Sequence, residues 1–302
     1  MRKEERNSGT CEGFSQSLQA VFVRKMKYQR ILTIQDISCV GQCSITVALP
    51  ILSACGLETC ILPTALLSTH TGGFGKPAVV HFDGALEEIR RHWQQCGIEF
   101  DGILVGYLGS IGAVETTGEI LNTMLAPGGI SVVDPAMADH GKLYAGFDEA
   151  YVHAMKELCN QAQVILPNVT EAALLSGVAY QEHWSEAEQE QLLSGFHQEC
   201  VVLTGATSGE EETGVLLRQN GQFLRYSHRR ISQNFHGTGD IFAACFTGAR
   251  MQGKDAFAAA KLAADFTCRC IEDTVQSPAH WYGVKFEPNL PMLMKLLEEE
   301  SD

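Results

Sequence analysis

The chain has no run of about 18 apolar residues, so nothing in it reads as a membrane-spanning helix. Positive charge is scarce: 22 Lys and Arg stand against 36 Asp and Glu, for a net charge of −14. That balance argues against nucleic acid or an anionic membrane surface as a partner, although a local positive site could still hold a small anion. No C-x-x-C occurs among the eleven cysteines, which are odd in number, scattered and mostly set in apolar runs (Cys55, Cys60, Cys159, Cys200, Cys245). We read them as free thiols in a reducing cytosol, hence a cytoplasmic protein, rather than as disulfides or a zinc site. No repeat with a period of 20–50 residues is visible. A phosphate loop of the Walker type is missing, because the nearest imitation, His70 to Pro77, lacks the first glycine and puts proline where Ser or Thr would ligate magnesium. No G-x-G-x-x-G follows the first strand, which sets a nicotinamide oxidoreductase aside.

What remains is a soluble composition, 45% hydrophobic and 19% charged over 302 residues. Residues 1–25 are polar and read as a disordered extension, leaving 26–302 as one domain. From residue 30 strands alternate with helices: strands at 31–35, 59–67, 101–107, 130–134, 164–166 and 200–204, with helices between them. His70 to Phe82 reads as a loop or small flap. A hairpin (213–217 and 222–226) and three helices (about 237–252, 254–273 and 290–299) follow. Such an order predicts an α/β fold with a mostly parallel sheet covered on both faces, its ligands beyond the carboxyl ends of the strands. Asp36, Tyr107, Asp134, Asn168 and Thr204 all fall at such ends.

Gly237-Thr238-Gly239-Asp240, opening a small-residue helix, carries the chemistry most directly, or is simply a glycine-rich turn into a helix. Glycines before a helix let several N–H groups converge on an anion, and the helix dipole adds positive charge. Asp240 then stands beside an anion hole, the pairing that phosphoryl transfer to a hydroxyl requires. Asp134 and Asp139 suit a hard cation or simply a solvated loop. Asn168 with Glu171 fits a capping box equally well. Thr204-Gly205 could hold a phosphate or form a turn.

The order of the pieces is more specific than any one of them. A strand ending in Asp134-Pro135 with Asp139, then Pro167-Asn168-x-x-Glu171, then Thr204-Gly205, then Gly237–Asp240 resembles the ribokinase superfamily. Ile34-Gln35, Ser68 to Gly72, Gly106 to Ser110 and Gly141 to Tyr144 make the chain most similar to the vitamin B6 kinases within it, over roughly residues 28–297. The resemblance implies a three-layer ribokinase-like fold and ATP-dependent phosphorylation of a B6 vitamer's 5′-hydroxymethyl group. Asp240 would be the base, and Gly237, Thr238 and Gly239 the anion hole. Asp134, Asp139 and Glu171 would position Mg²⁺ and its waters. Asp134, Asn168, Glu171, Thr204 and Thr238 would line the ATP site, and His70, Thr71, Tyr107 and Asp36 the acceptor site. It further implies a homodimer and a monovalent cation, typically K⁺. Asp36 replaces the serine that many such kinases carry, which could favour a cationic amine and so pyridoxamine or pyridoxine. A hydroxymethylpyrimidine kinase, a sugar kinase and a catalytically silent binding protein are the rival readings. The first usually carries a glycine-rich run after its first strand, which Ile37 to Gly41 is not, and the second lacks its Gly-Gly-Asn element here.

Overall fold

The computed structural model describes residues 28–299 except 208, 210, 232, 234 and 278. The expected extension, 1–25, lies outside the described residues. Nine strands form one sheet in the order β11-β10-β9-β8-β5-β4-β1-β2-β3. The six central strands are parallel: β1 (Arg30–Ser38), β2 (Glu58–Leu67), β4 (Phe100–Val105), β5 (Leu125–Val133), β8 (Val164–Ile165) and β9 (Cys200–Ala206). Antiparallel strands close both sides, with β3 (Val79–His81) on β2, and the hairpin β10 (Glu212–Gln219) and β11 (Gln222–Arg229) on β9.

Side chains alternate along each strand, and the two faces bury two separate cores. On one face Ile31, Leu104, Val132 and Val202 pack under helices α1 (Ile45–Ala54), α7 (Thr238–Met251), α8 (Ala256–Val275) and α9 (Leu290–Glu298). On the other, Leu32, Ile103, Val133 and Val201 meet α2 (Asp83–Gln95), α3 (Ile111–Met124), α4 (Glu149–Gln161), α5 (Val169–Ser176) and α6 (Glu186–Ser194). The result is the three-layer arrangement expected from the sequence. Small residues let α7 sit close to α1: a Cβ built on Gly248 would lie 2.4 Å from the Cys55 sulfur. All ten described cysteines are free, five of them buried, whereas Cys60 is only half-buried and Cys39 and Cys96 are exposed.

Four differences from the sequence reading bear on the site. The first strand runs on to Ser38, and its register with β2 shifts between Gln35 and Ile37, so Asp36 stands where the ladder is interrupted rather than beyond the strand. Such irregularities re-aim side chains beside functional sites. The expected flap loop contains β3 as well as a turn. The hairpin turn is only Asn220-Gly221, both at positive φ (52° and 74°), so the two strands are longer than periodicity suggested. A two-stranded ribbon, β6 (Ala138–Asp139) and β7 (Lys142–Leu143), was missed altogether.

After β1 the chain moves to β2 on one side, then returns to β4 on the other. The loops after β1 and β4 therefore part at a switch in direction, and a crevice opens there at the strands' carboxyl ends.

Candidate active site

Gly237 sits in the left-handed region (φ 84°) and starts α7 with no side chain capping the helix. A Cβ there would fall 2.0 Å from the Gln42 carbonyl oxygen, so only glycine lets the chain turn this tightly. The first turn of α7, Thr238 and Gly239 included, lines a cavity of about 420 Å³. Gly239 brings its backbone close to Asp134, whose carboxylate oxygen would be 3.7 Å from a Cβ at that position. The cavity gathers Asp134, Asp139, Asn168, Glu171, Thr204 and the whole Gly237–Asp240 segment from four different stretches of chain.

Asp240 opens onto this cavity while its carboxyl lies deep in the fold. Burial pushes that carboxyl up to about 7; a hydrogen bond from the Ser44 backbone opposes the rise, and the charge of Asp36 adds to it. A group titrating near neutrality can accept a proton and release it again. Asp134 is raised well above the usual carboxylate range, by burial first and then by Glu171 and Asp240.

Glu171 does what the capping-box reading required. Its Oε2 accepts from the Asn168 N–H at 2.9 Å, and the Asn168 side chain accepts from the Glu171 N–H at 2.9 Å. Its Oε1 accepts from the N–H groups of Met137 (3.1 Å) and Ala138 (3.5 Å), so the same side chain braces the loop after β5. Burial raises the Glu171 carboxyl to about 8 despite these bonds. Asp139 lines the exposed side of the same cavity, where it accepts from the His140 N–H at 2.8 Å and pairs with the His140 ring at 3.5 Å. The expected set of Asp134, Asp139 and Glu171 therefore does not close around one point, and among the described residues no three His, Cys, Asp or Glu side chains form a direct metal cage. Asp134 is the carboxylate free to meet a cation, with the other two placed to act through water. The fit is to a partly hydrated hard ion.

The acceptor-side residues lie apart from that cavity. Asp36 is 3% exposed and meets the hydroxyls of Ser38 (3.1 Å) and Ser44; burial is the first cause of its raised pKa. No lysine, arginine or histidine is among its partners. Its charge helps burial raise the Tyr107 phenol, so the two are neighbours. Tyr107 also leans on Phe147, which stacks on Tyr151 at 3.8 Å. His70 spends both ring nitrogens on backbone: Nδ1 accepts from the Gly72 N–H at 2.9 Å, and Nε2 lies 3.1 Å from the Tyr282 oxygen. It props the flap instead of offering a free nitrogen to a ligand. Thr71 is exposed on that flap.

Sequence reasoning missed the apolar end of the cavity, made by Val215, Phe235, Ala264 and Ile271, with Cys268 beside His228 at 3.1 Å. Ala264, Cys268 and Ile271 recur at helical spacing on α8, a signal that was present but reads as ordinary core. An anion loop and an apolar lining in the same cavity suit a nucleotide's phosphates and base.

A three-layer sheet with this cleft beyond its carboxyl edge defines a ribokinase-like kinase. Comparison with known proteins narrows the class. The chain belongs to the phosphomethylpyrimidine kinase family, whose sequence profile it matches over residues 49–284. It is 27% identical over 258 residues to the pyridoxine/pyridoxal/pyridoxamine kinase of Bordetella pertussis, covering 81% of this chain and 89% of that one. The crystal structure of pyridoxal kinase from Lactobacillus plantarum superposes with a TM-score of 0.84 at 33% identity, over 91% of this chain and 100% of its own. A provisionally assigned phosphomethylpyrimidine kinase from Bacteroides thetaiotaomicron, crystallised with pyridoxal, gives 0.83 at 28% identity over 91% and 98%. Phosphotransfer of the pyridoxal or hydroxymethylpyrimidine kinase type is thus the activity of this chain, and no described helix is long and apolar enough to cross a membrane.

Proposed function

We propose that the protein phosphorylates the 5′-hydroxymethyl group of a B6 vitamer with ATP and Mg²⁺, serving salvage of pyridoxal 5′-phosphate. The observation that carries this reading is the buried Asp240, raised to about 7, beside the uncapped amides of Thr238 and Gly239. Asp240 takes the hydroxyl proton, and the freed oxygen forms a bond to the γ-phosphorus as the bond to the β–γ bridging oxygen breaks and ADP leaves. The N–H groups of residues 237–239 steady the charge on the transferred group. Asp134, with Glu171 and Asp139 behind water, would hold Mg²⁺, which neutralises phosphate charge when bound. Asn168 and Thr204 flank the phosphates, and Val215, Phe235, Ala264 and Ile271 shelter the base.

Asp36 supports a B6 acceptor with a hydrogen-bond donor or positive charge, because a buried carboxylate partnered by two hydroxyls and its own backbone N–H has acceptor capacity left over. Pyridoxamine and pyridoxine fit that demand. A second reading, hydroxymethylpyrimidine phosphorylation, is favoured by the family profile that the chain matches. ADP release measured with pyridoxal, pyridoxine, pyridoxamine and hydroxymethylpyrimidine separates the two. The proposal expects the highest kcat/KM on a B6 vitamer, and a preference for the pyrimidine overturns it.

A further inference from the structure

Ser44 follows none of the rules that its place in the chain suggests. It immediately precedes α1, where a serine ordinarily takes extended backbone and accepts a hydrogen bond from the first helical turn. Here its φ is 55° and its ψ −130°, and its hydroxyl caps nothing. A residue with a Cβ is strained there, and such strain persists only where the surroundings enforce it. The hydroxyl goes instead to the carboxylate of Asp36, and the backbone N–H to the carboxylate of Asp240. The carbonyl accepts from Val47 (3.0 Å) and Ala48 (2.9 Å), and a bridge to Ile37 pins the residue to β1. At 5% exposure, water does not compete for these groups.

We propose that Ser44 is a positioning residue that ties the acceptor-recognising Asp36 and the base Asp240 into one unit, an inference that rests on the function proposed above. The hydroxyl bond to Asp36 anchors the strained backbone, and only in that conformation does the N–H face Asp240. A disturbance at the acceptor end is therefore felt in turnover and not merely in acceptor affinity. Glycine and alanine at this position separate the two links. Glycine lacks the hydroxyl but adopts φ 55° freely, so the N–H stays aimed at Asp240. Alanine lacks the hydroxyl and keeps the strain, so its backbone relaxes away.

The test is steady-state kinetics of Ser44→Ala and Ser44→Gly with ATP and the B6 vitamer that turns over fastest, alongside Asp240→Asn. Loss of one hydrogen bond to a charged group should raise the acceptor KM about tenfold in both Ser44 variants, leaving the KM for ATP unchanged. Only Ser44→Ala should also lose about tenfold in kcat, while Ser44→Gly stays within about twofold of the parent. Wild-type kcat and KM in both variants, whatever their melting temperatures, overturn the inference, because a merely structural serine would behave that way. An equal kcat loss in the two overturns the anchoring argument. If Ser44→Ala does not fold, the acceptor KM of Ser44→Gly decides, and an unchanged value refutes the link to Asp36. Full turnover in Asp240→Asn instead sinks the base assignment itself, on a variant in which Ser44 is intact.

Discussion

Replacing Asp240 with asparagine should remove activity and add stability, and both effects can be sized. Burial holds this carboxyl at about 7, against an ordinary value of 3.8. Because the folded value is the higher one, the stability tied to this group is complete below about pH 4 and is lost as pH rises through 7. A gap of about three pH units at 1.36 kcal/mol each sets a ceiling near 4 kcal/mol by pH 8. The carboxyl opens onto a wet cavity, so screening should leave about 2 kcal/mol. Asparagine keeps an oxygen for the Ser44 N–H and has no charge to bury. At roughly 2–4 °C per kcal/mol, the ligand-free variant should melt several degrees above the parent at pH 8 and level with it near pH 4. Its kcat should fall about 10²–10⁴-fold as the proton acceptor is lost. Calorimetry from pH 4 to 8 with ADP-release kinetics reads both halves. A melting difference that does not change with pH refutes the buried-charge account, and undiminished turnover refutes the catalytic one.

Gly237→Ala forces a side chain into left-handed backbone and to 2.0 Å from the Gln42 oxygen. ATP turnover should drop at least about tenfold as the amides are displaced; a wild-type rate would show that the loop is not an anion hole. Gly248→Ala places a methyl 2.4 Å from the Cys55 sulfur and 2.9 Å from the Cys55 Cβ, so chemical unfolding should show a loss of about 1–3 kcal/mol, only partly restored by adding Cys55→Ala, which keeps the Cβ, and more fully by Cys55→Gly. Unchanged stability in the single variant would mean that α1 and α7 have room to part.

Much of the scaffold could be read along the chain, because six parallel strands bury both faces and leave apolar runs bounded by turn residues. The loop 237–240 could be singled out less by its two glycines, which also suit an ordinary turn into a helix, than by the order of the motifs before it. Asn168 and Glu171 were readable as a cap, and their second task, bracing residues 137 and 138, involves partners some thirty positions away. The positive φ of Ser44 was not legible, since backbone strain leaves no mark on composition. Phe235 and Ile271 are invisible as a slot until α8 folds against the hairpin.

Gln42 sits on the loop that presses on Gly237, and it is held from far along the chain. Its side chain donates to Glu287 at 2.6 Å and meets the His280 ring at 2.7 Å, while its N–H reaches the Tyr282 oxygen at 3.4 Å. A ribosome makes these partners more than two hundred residues after Gln42. Domains are translated from the amino end at about 5–20 residues per second, so the nascent sheet waits on the order of ten seconds for the segment that clasps its catalytic rim. Until residues 280–287 emerge, the growing polypeptide carries Asp134 and Asp240 without the clamp that holds Gln42 against Gly237, and phosphotransfer should switch on only with late synthesis.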